Sequence, residues 1–167
     1  MITFVLMFLG LLVVGAILYP FFSIAFNEQL KGFMAITAAI CGGILNVFFG
    51  NVVVSGRYLS FQGFSVEIIE ECTGIFEMLI FLAALISYPA SWRSKSIGFA
   101  IGIPALYALN VVRIVFLSFV GAHYHKLFDF MHLYFWQATL ILMITTVWIL
   151  WIVLVVGREK KTPEIFS

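Results

Sequence analysis

Charge is what this sequence has least of. Of 167 residues, nine are Lys or Arg and eight are Asp or Glu, 10% in all, where ordinary soluble domains carry roughly 25%. The hydrophobic share is 63% and the mean hydropathy +1.14, so a soluble domain of this size would have too little polar surface to face water. The same composition excludes disorder, collagen and a coiled coil. A net charge of +1 without a basic patch argues against a nucleic-acid partner. Cysteine is scarce too. Two thiols with no Cys-x-x-Cys exclude a disulfide scaffold and a thiol oxidoreductase of that type. His-Glu-x-x-His is absent, which leaves a zinc protease of that kind without its ligands. What remains is an all-α, polytopic helical membrane bundle, a single integral membrane domain over residues 1–167 with a short cytoplasmic tail at 157–167.

A helical span needs about 20 mostly apolar residues. Five stretches serve: Ile2–Phe26, Gly32–Phe49, Thr73–Pro89, Ile97–Val120 and Leu133–Val156. The first has no Lys or Arg ahead of its apolar run and no small-x-small cleavage site, so it reads as a retained span rather than a signal peptide. Basic residues in short loops mark the cytoplasmic side. Arg93 and Lys95, then Arg158, Lys160 and Lys161, fall there together, and strict alternation of spans adds Lys31 in the loop Asn27–Lys31. The N-terminus is then outside, as are Gly50–Glu71 and Gly121–Met131. In the first external segment Phe64, Val66 and Ile68 alternate with Ser65 and Glu67, a strand period, and Gln62-Gly63 suits the turn of a small hairpin.

The few polar residues left over are the informative ones. Arg113 lies within the fourth span, one turn after Asn110. An Arg at helix centre costs roughly 2.5–3.5 kcal/mol on insertion scales, and intramembrane charges usually face a bundle interior or a wet cavity. It serves either as a functional cation or as the structural partner of Glu77 or another acid. Cys72 opens the third span, at the expected external surface, and is either a nucleophile or a buried inert thiol. Glu70 and Glu71 oppose thiolate formation there. Cys41 lies mid-span among small residues, about 13 Å from the outer end of its helix, so a disulfide with Cys72 is not expected. His132 opens the fifth span beside Tyr134 and Trp136, as a proton carrier or as an interfacial belt residue. The spacing of His123, His125 and His132 does not make a persuasive metal site. Cys72, Arg113 and His132 come from three spans, yet loop charge alone puts them near one face. Nucleophile, cation and proton shuttle are the parts acyl transfer needs.

Three local patterns, in order, resemble the exosortase/archaeosortase family of integral membrane transpeptidases. Glu71-Cys72-Thr73-Gly74-Ile75 is similar to the family's acid/Ala-Cys-Ser/Thr-Gly-Ile motif, Asn110-Val-Val-Arg113-Ile114 to its Asn-x-x-Arg-Ile motif, and His132 before a final aromatic span to its third. The likeness covers about residues 64–156. The short length and the His132-x-x-x-Trp136-Gln137 run are similar to the subgroup called exosortase H. The resemblance implies a cofactor-free cysteine peptidase or transpeptidase of the cytoplasmic membrane, multi-pass, with its site facing the exterior. Its partners would be exported proteins bearing a C-terminal sorting tail: a short motif, a transmembrane helix and a basic cluster. It implies Cys72 as nucleophile, Arg113 as electrophilic stabiliser and His132 as acid/base, with Glu71, Thr73, Asn110 and Trp136 in supporting or substrate-binding places. Either His132 and Arg113 offset Glu70 and Glu71 and favour the thiolate, or Glu71 orients His132 or binds Arg113. The other reading of the same residues is a non-enzymatic transporter or assembly factor with a structural intramembrane Arg.

Overall fold

The computed structural model describes residues 2–124, 130, 131, 134 and 136–161, apart from the side chains of Trp136, Lys160 and Lys161. Among the described residues five long helices carry the chain: α1 (Ile2–Ala25), α2 (Asn27–Phe49), α3 (Ile75–Ser87), α4 (Trp92–His123) and α5 (Trp136–Trp151). The last continues through a π-helical turn, Ile152–Val156, into Gly157–Lys161. Among the described residues, four helical segments are long and apolar enough to cross a bilayer: α1, α2, α4 and Gln137–Glu159. No residue of α1 is fully buried; most of its apolar surface faces outward, as a helix in lipid permits.

The third expected span is shorter than the others. Helix α3 has 13 residues, about 20 Å against a hydrocarbon core of about 30 Å. It stops where Tyr88 turns extended before Pro89, a residue that disfavours helix in its predecessor. Lys95 donates to the Ile86 carbonyl at 2.6 Å, answering one of the unpaired carbonyls at that end. Helix α4 starts five residues before the expected Ile97, because Ser91 caps it: its hydroxyl accepts from the Ser94 N–H at 3.2 Å.

The direction of α1 and α2 overturns the alternation expected from charge. Helix α1 runs antiparallel to α3, with Phe4 against Tyr88 and Tyr19 against Phe76. Helix α3 is antiparallel to α4, since Gly102 packs on Phe81 and Gly74 on Asn110. Helix α2 is parallel to α4: Phe33 meets Tyr107, and Phe49 meets Phe119 and His123. Helices α1 and α2 therefore both advance in the direction of α4. They join at Phe26, where helical hydrogen bonds continue on both sides (Phe26 N–H to Phe22, Leu30 N–H to Phe26, each 2.9 Å). The expected loop Asn27–Lys31 is helix. Phe4 lies at the Tyr88–Trp148 end, the end that carries Arg93 and Lys95, not the opposite one. Lys31 is two residues from Phe33 and so lies midway along α4, paired with Glu28 at 2.9 Å.

Between α2 and α3 the chain forms a three-stranded antiparallel meander, β1 (Val53–Ser55), β2 (Tyr58–Phe61) and β3 (Phe64–Glu67). Gln62 and Gly63 both take positive φ, 49° and 77°, the two-residue turn that matches strand twist. The expected hairpin is therefore present, and β1 extends it. The sheet sits on α2 at Gly42, where a Cβ would collide with Val54 and Leu59. Two apolar cores result. One gathers Met34, Ala38, Cys41, Leu45, Leu59, Ile68, Cys72, Val111 and Ile114 under the sheet. The other gathers Phe81, Leu85, Leu106, Trp151 and Val156 at the opposite end.

Candidate active site

Strand β3 delivers the chain directly to Cys72. After Ile68, whose N–H bonds Arg57 at 2.9 Å, residues Glu70–Cys72 make one 3-10 turn, closed by Cys72 N–H to Ile69 (2.9 Å) and Thr73 N–H to Glu70 (3.0 Å). The Thr73 hydroxyl donates to the same Glu70 carbonyl at 2.6 Å, so Thr73, fully buried, locks the turn. Gly74 then takes φ 82°, where an L side chain is strained. The space a Cβ would need is filled by Asn110, 3.2 Å away. The Cys-Thr-Gly sequence thus builds a tight turn whose carbonyls need partners from elsewhere.

Helix α4 supplies them from one face. Asn110 and Arg113 are three residues apart and project on the same side. The Asn110 side-chain amide donates to the Cys72 carbonyl at 2.6 Å. The Arg113 Nη1 donates to Glu77 Oε1 at 3.1 Å, and the two side chains of this ion pair are only 3% and 4% exposed. Arg113 is thereby tied to the first turn of α3, five residues after Cys72. Cys72 is buried, at 8% exposure. Glu77 Oε2 and Asn110 Oδ1 are buried with no hydrogen-bond partner among the described residues.

Cys72 is level with Asn110, which lies about 20 Å along α4 from its end at His123. The short α3 therefore recesses the Cys72 turn below the sheet, deeper than the expected surface position, and brings it into one buried cluster with Cys41. Both thiols are free.

Of the residues singled out from sequence, the structure brings together Cys72, Thr73, Asn110 and Arg113. Glu71 is exposed, while Glu77 takes Arg113. His132 and His125 lie outside the described residues, as does the side chain of Trp136. His123 stacks on Phe119 at 4.6 Å and on Phe49 at 5.6 Å. Sequence reasoning missed Tyr19 and Ser23. The Tyr19 hydroxyl donates to Glu70 at 2.6 Å and the Ser23 hydroxyl to the same carboxylate at 3.3 Å, tying α1 to the Cys72 turn. Their signal was available: a Tyr and a Ser four residues apart form a polar stripe on an otherwise apolar helix.

A family model described as Transmembrane exosortase (Exosortase_EpsH) matches residues 2–152. It extends the likeness from residue 64 back through both N-terminal helices. No curated protein and no solved structure matches the chain.

Proposed function

The chain belongs to the transmembrane exosortase family, and on that premise we propose that it is a cysteine peptidase or transpeptidase that cleaves C-terminal sorting tails of exported proteins at the outer face of the cytoplasmic membrane. One observation supports this most: Asn110 holds the Cys72 carbonyl at 2.6 Å while Arg113, on the same face of α4, pairs at 3.1 Å with Glu77, five residues after Cys72. Two motifs separated by some 40 residues of sequence are one site in space.

In the proposed reaction the Cys72 thiolate attacks the carbonyl carbon of the scissile amide, forming a C–S bond. Arg113 stabilises the oxyanion of the tetrahedral intermediate. On collapse the C–N bond breaks and the departing amine takes a proton, which the family resemblance assigns to His132. Water or an acceptor amine then attacks the thioester, the C–S bond breaks, and Cys72 is restored with an acid or a new amide as product. The recess suits a peptide drawn down from the sheet side. The bilayer holds both the enzyme and the substrate's transmembrane helix, so the two meet in the membrane plane.

The test is Cys72→Ala, expressed with a tail-bearing exported protein. Cleavage falls by roughly 10⁴-fold or more while the variant stays folded in the membrane. Undiminished cleavage refutes the proposal. The buried Arg113–Glu77 pair also suits a transporter or assembly factor with a structural Arg. That reading requires Cys72 to resist an externally added thiol reagent in the substrate-free protein, whereas the enzyme requires it to be modified.

A further inference from the structure

The acid facing Arg113 needs an explanation that burial alone does not supply. A carboxylate near a thiol that must ionise opposes the thiolate. Glu77 has that effect on Cys72, and it is buried to 3%. An apolar side chain on the first turn of α3 would avoid both penalties. Glu77 does have one strong contact, Arg113 Nη1 at 3.1 Å.

We propose that Glu77 is the positioning residue for Arg113: it fixes the guanidinium beside the nucleophile turn, so that the cation stands in register with Cys72. Three features carry this. Glu77 follows Cys72 by five residues on the turn and first helical turn of α3, so carboxylate and thiol belong to one local unit. Arg113 is then referenced directly to that unit. Asn110 makes the second point of the same clamp, on the Cys72 carbonyl. Two attachments three residues apart on α4 set both height and rotation. Finally, an Arg stem has several rotatable bonds, and this pair is shielded from water, so its geometry is held rather than averaged.

This inference rests on the cysteine-enzyme reading, and its test separates the two. Glu77→Gln keeps the shape and removes the charge. The rate at which a small neutral alkylating reagent labels Cys72 requires no cleavage substrate. If Glu77 acts only as a nearby negative charge, removing it speeds labelling. If it positions Arg113, the cation drifts and labelling slows, to about the rate in Arg113→Gln. In the cleavage assay kcat falls about 10²-fold, the scale of a 1 Å misplacement, with KM within about twofold. The double variant Glu77→Gln/Arg113→Gln is no slower than Arg113→Gln alone. Glu77→Asp, which keeps the charge but withdraws it by one methylene, recovers part of the loss and serves as the test should the Gln variant not fold: a kcat about tenfold down is expected. Labelling that is unchanged or faster in Glu77→Gln, losses that multiply in the double variant, or a folded Glu77→Asp at wild-type kcat would each overturn the proposal. Failure of the wild type to cleave any tail-bearing protein counts against the enzyme reading and leaves the labelling result standing.

Discussion

The two ends of this bundle are stabilised in different ways. At the end carrying Arg93 and Lys95 the contacts are close and apolar: Gly102 lets the Phe81 ring lie on the α4 backbone, and Gly98 does the same for Leu85 and Trp151. Polar groups are buried there too, but the core ones are uncharged: Trp151 Nε1 donates to the Ser94 carbonyl (2.8 Å), and the Ser94 hydroxyl donates to Glu159 at the rim (2.5 Å). Under the sheet the core instead contains Thr73, Glu77, Asn110 and Arg113, each at most 5% exposed. Buried polar groups cost stability unless they are paired, and they specify geometry when they are. One end is built for rigidity, the other for placing a thiol and a cation.

Variants can break or sharpen that contrast. Arg113→Lys should have the largest effect after loss of Cys72 itself, about 10²–10³-fold in kcat, because an ammonium lacks the planar fork; steady-state cleavage of a tail-bearing substrate measures it. At the other end, Gly102→Val should act on stability. The new side chain meets the Phe81 ring, overpacking that costs about 1–3 kcal/mol, so the thermal midpoint in detergent falls while each folded molecule cleaves at the wild-type rate. Smallest is Tyr19→Phe, which removes one hydrogen bond to Glu70, worth about 1.5–3 kcal/mol where the acceptor is charged. Its effect should be a few-fold drop in kcat with little change in KM, because the carboxylate it holds sits two residues before Cys72, the proposed nucleophile.

Much of this was legible in the sequence, for definite reasons. Apolar runs of sufficient length mark α1, α2, α4 and α5, and Gln62-Gly63 between alternating residues marks a hairpin. Strand β1 was not legible because Val52-Val53-Val54 is an unbroken apolar run with no period. The direction of α1 and α2 was hidden because loop-charge counting assumes that every span reverses. Lys31 is instead neutralised by Glu28 within a helix. The depth of Cys72 depended on α3 stopping at Tyr88, a boundary that was readable, and on its helix starting only after Gly74, which was not. Arg113 was conspicuous because charge is rare here. That its partner is Glu77 was one of two readings, and the structure makes the pair part of the site. His132 lies outside the described residues, so its place beside Cys72 still rests on the family resemblance.

The most direct test of the central claim is to trap the acyl-enzyme. Purified wild-type protein is mixed with a tail-bearing substrate, quenched in acid, and digested for mass measurement. The account predicts the substrate's new C-terminus joined to Cys72 by a hydroxylamine-labile thioester, lost in Cys72→Ala. Cleavage that proceeds with Cys72 unmodified at every time point, and persists in Cys72→Ala, would contradict it.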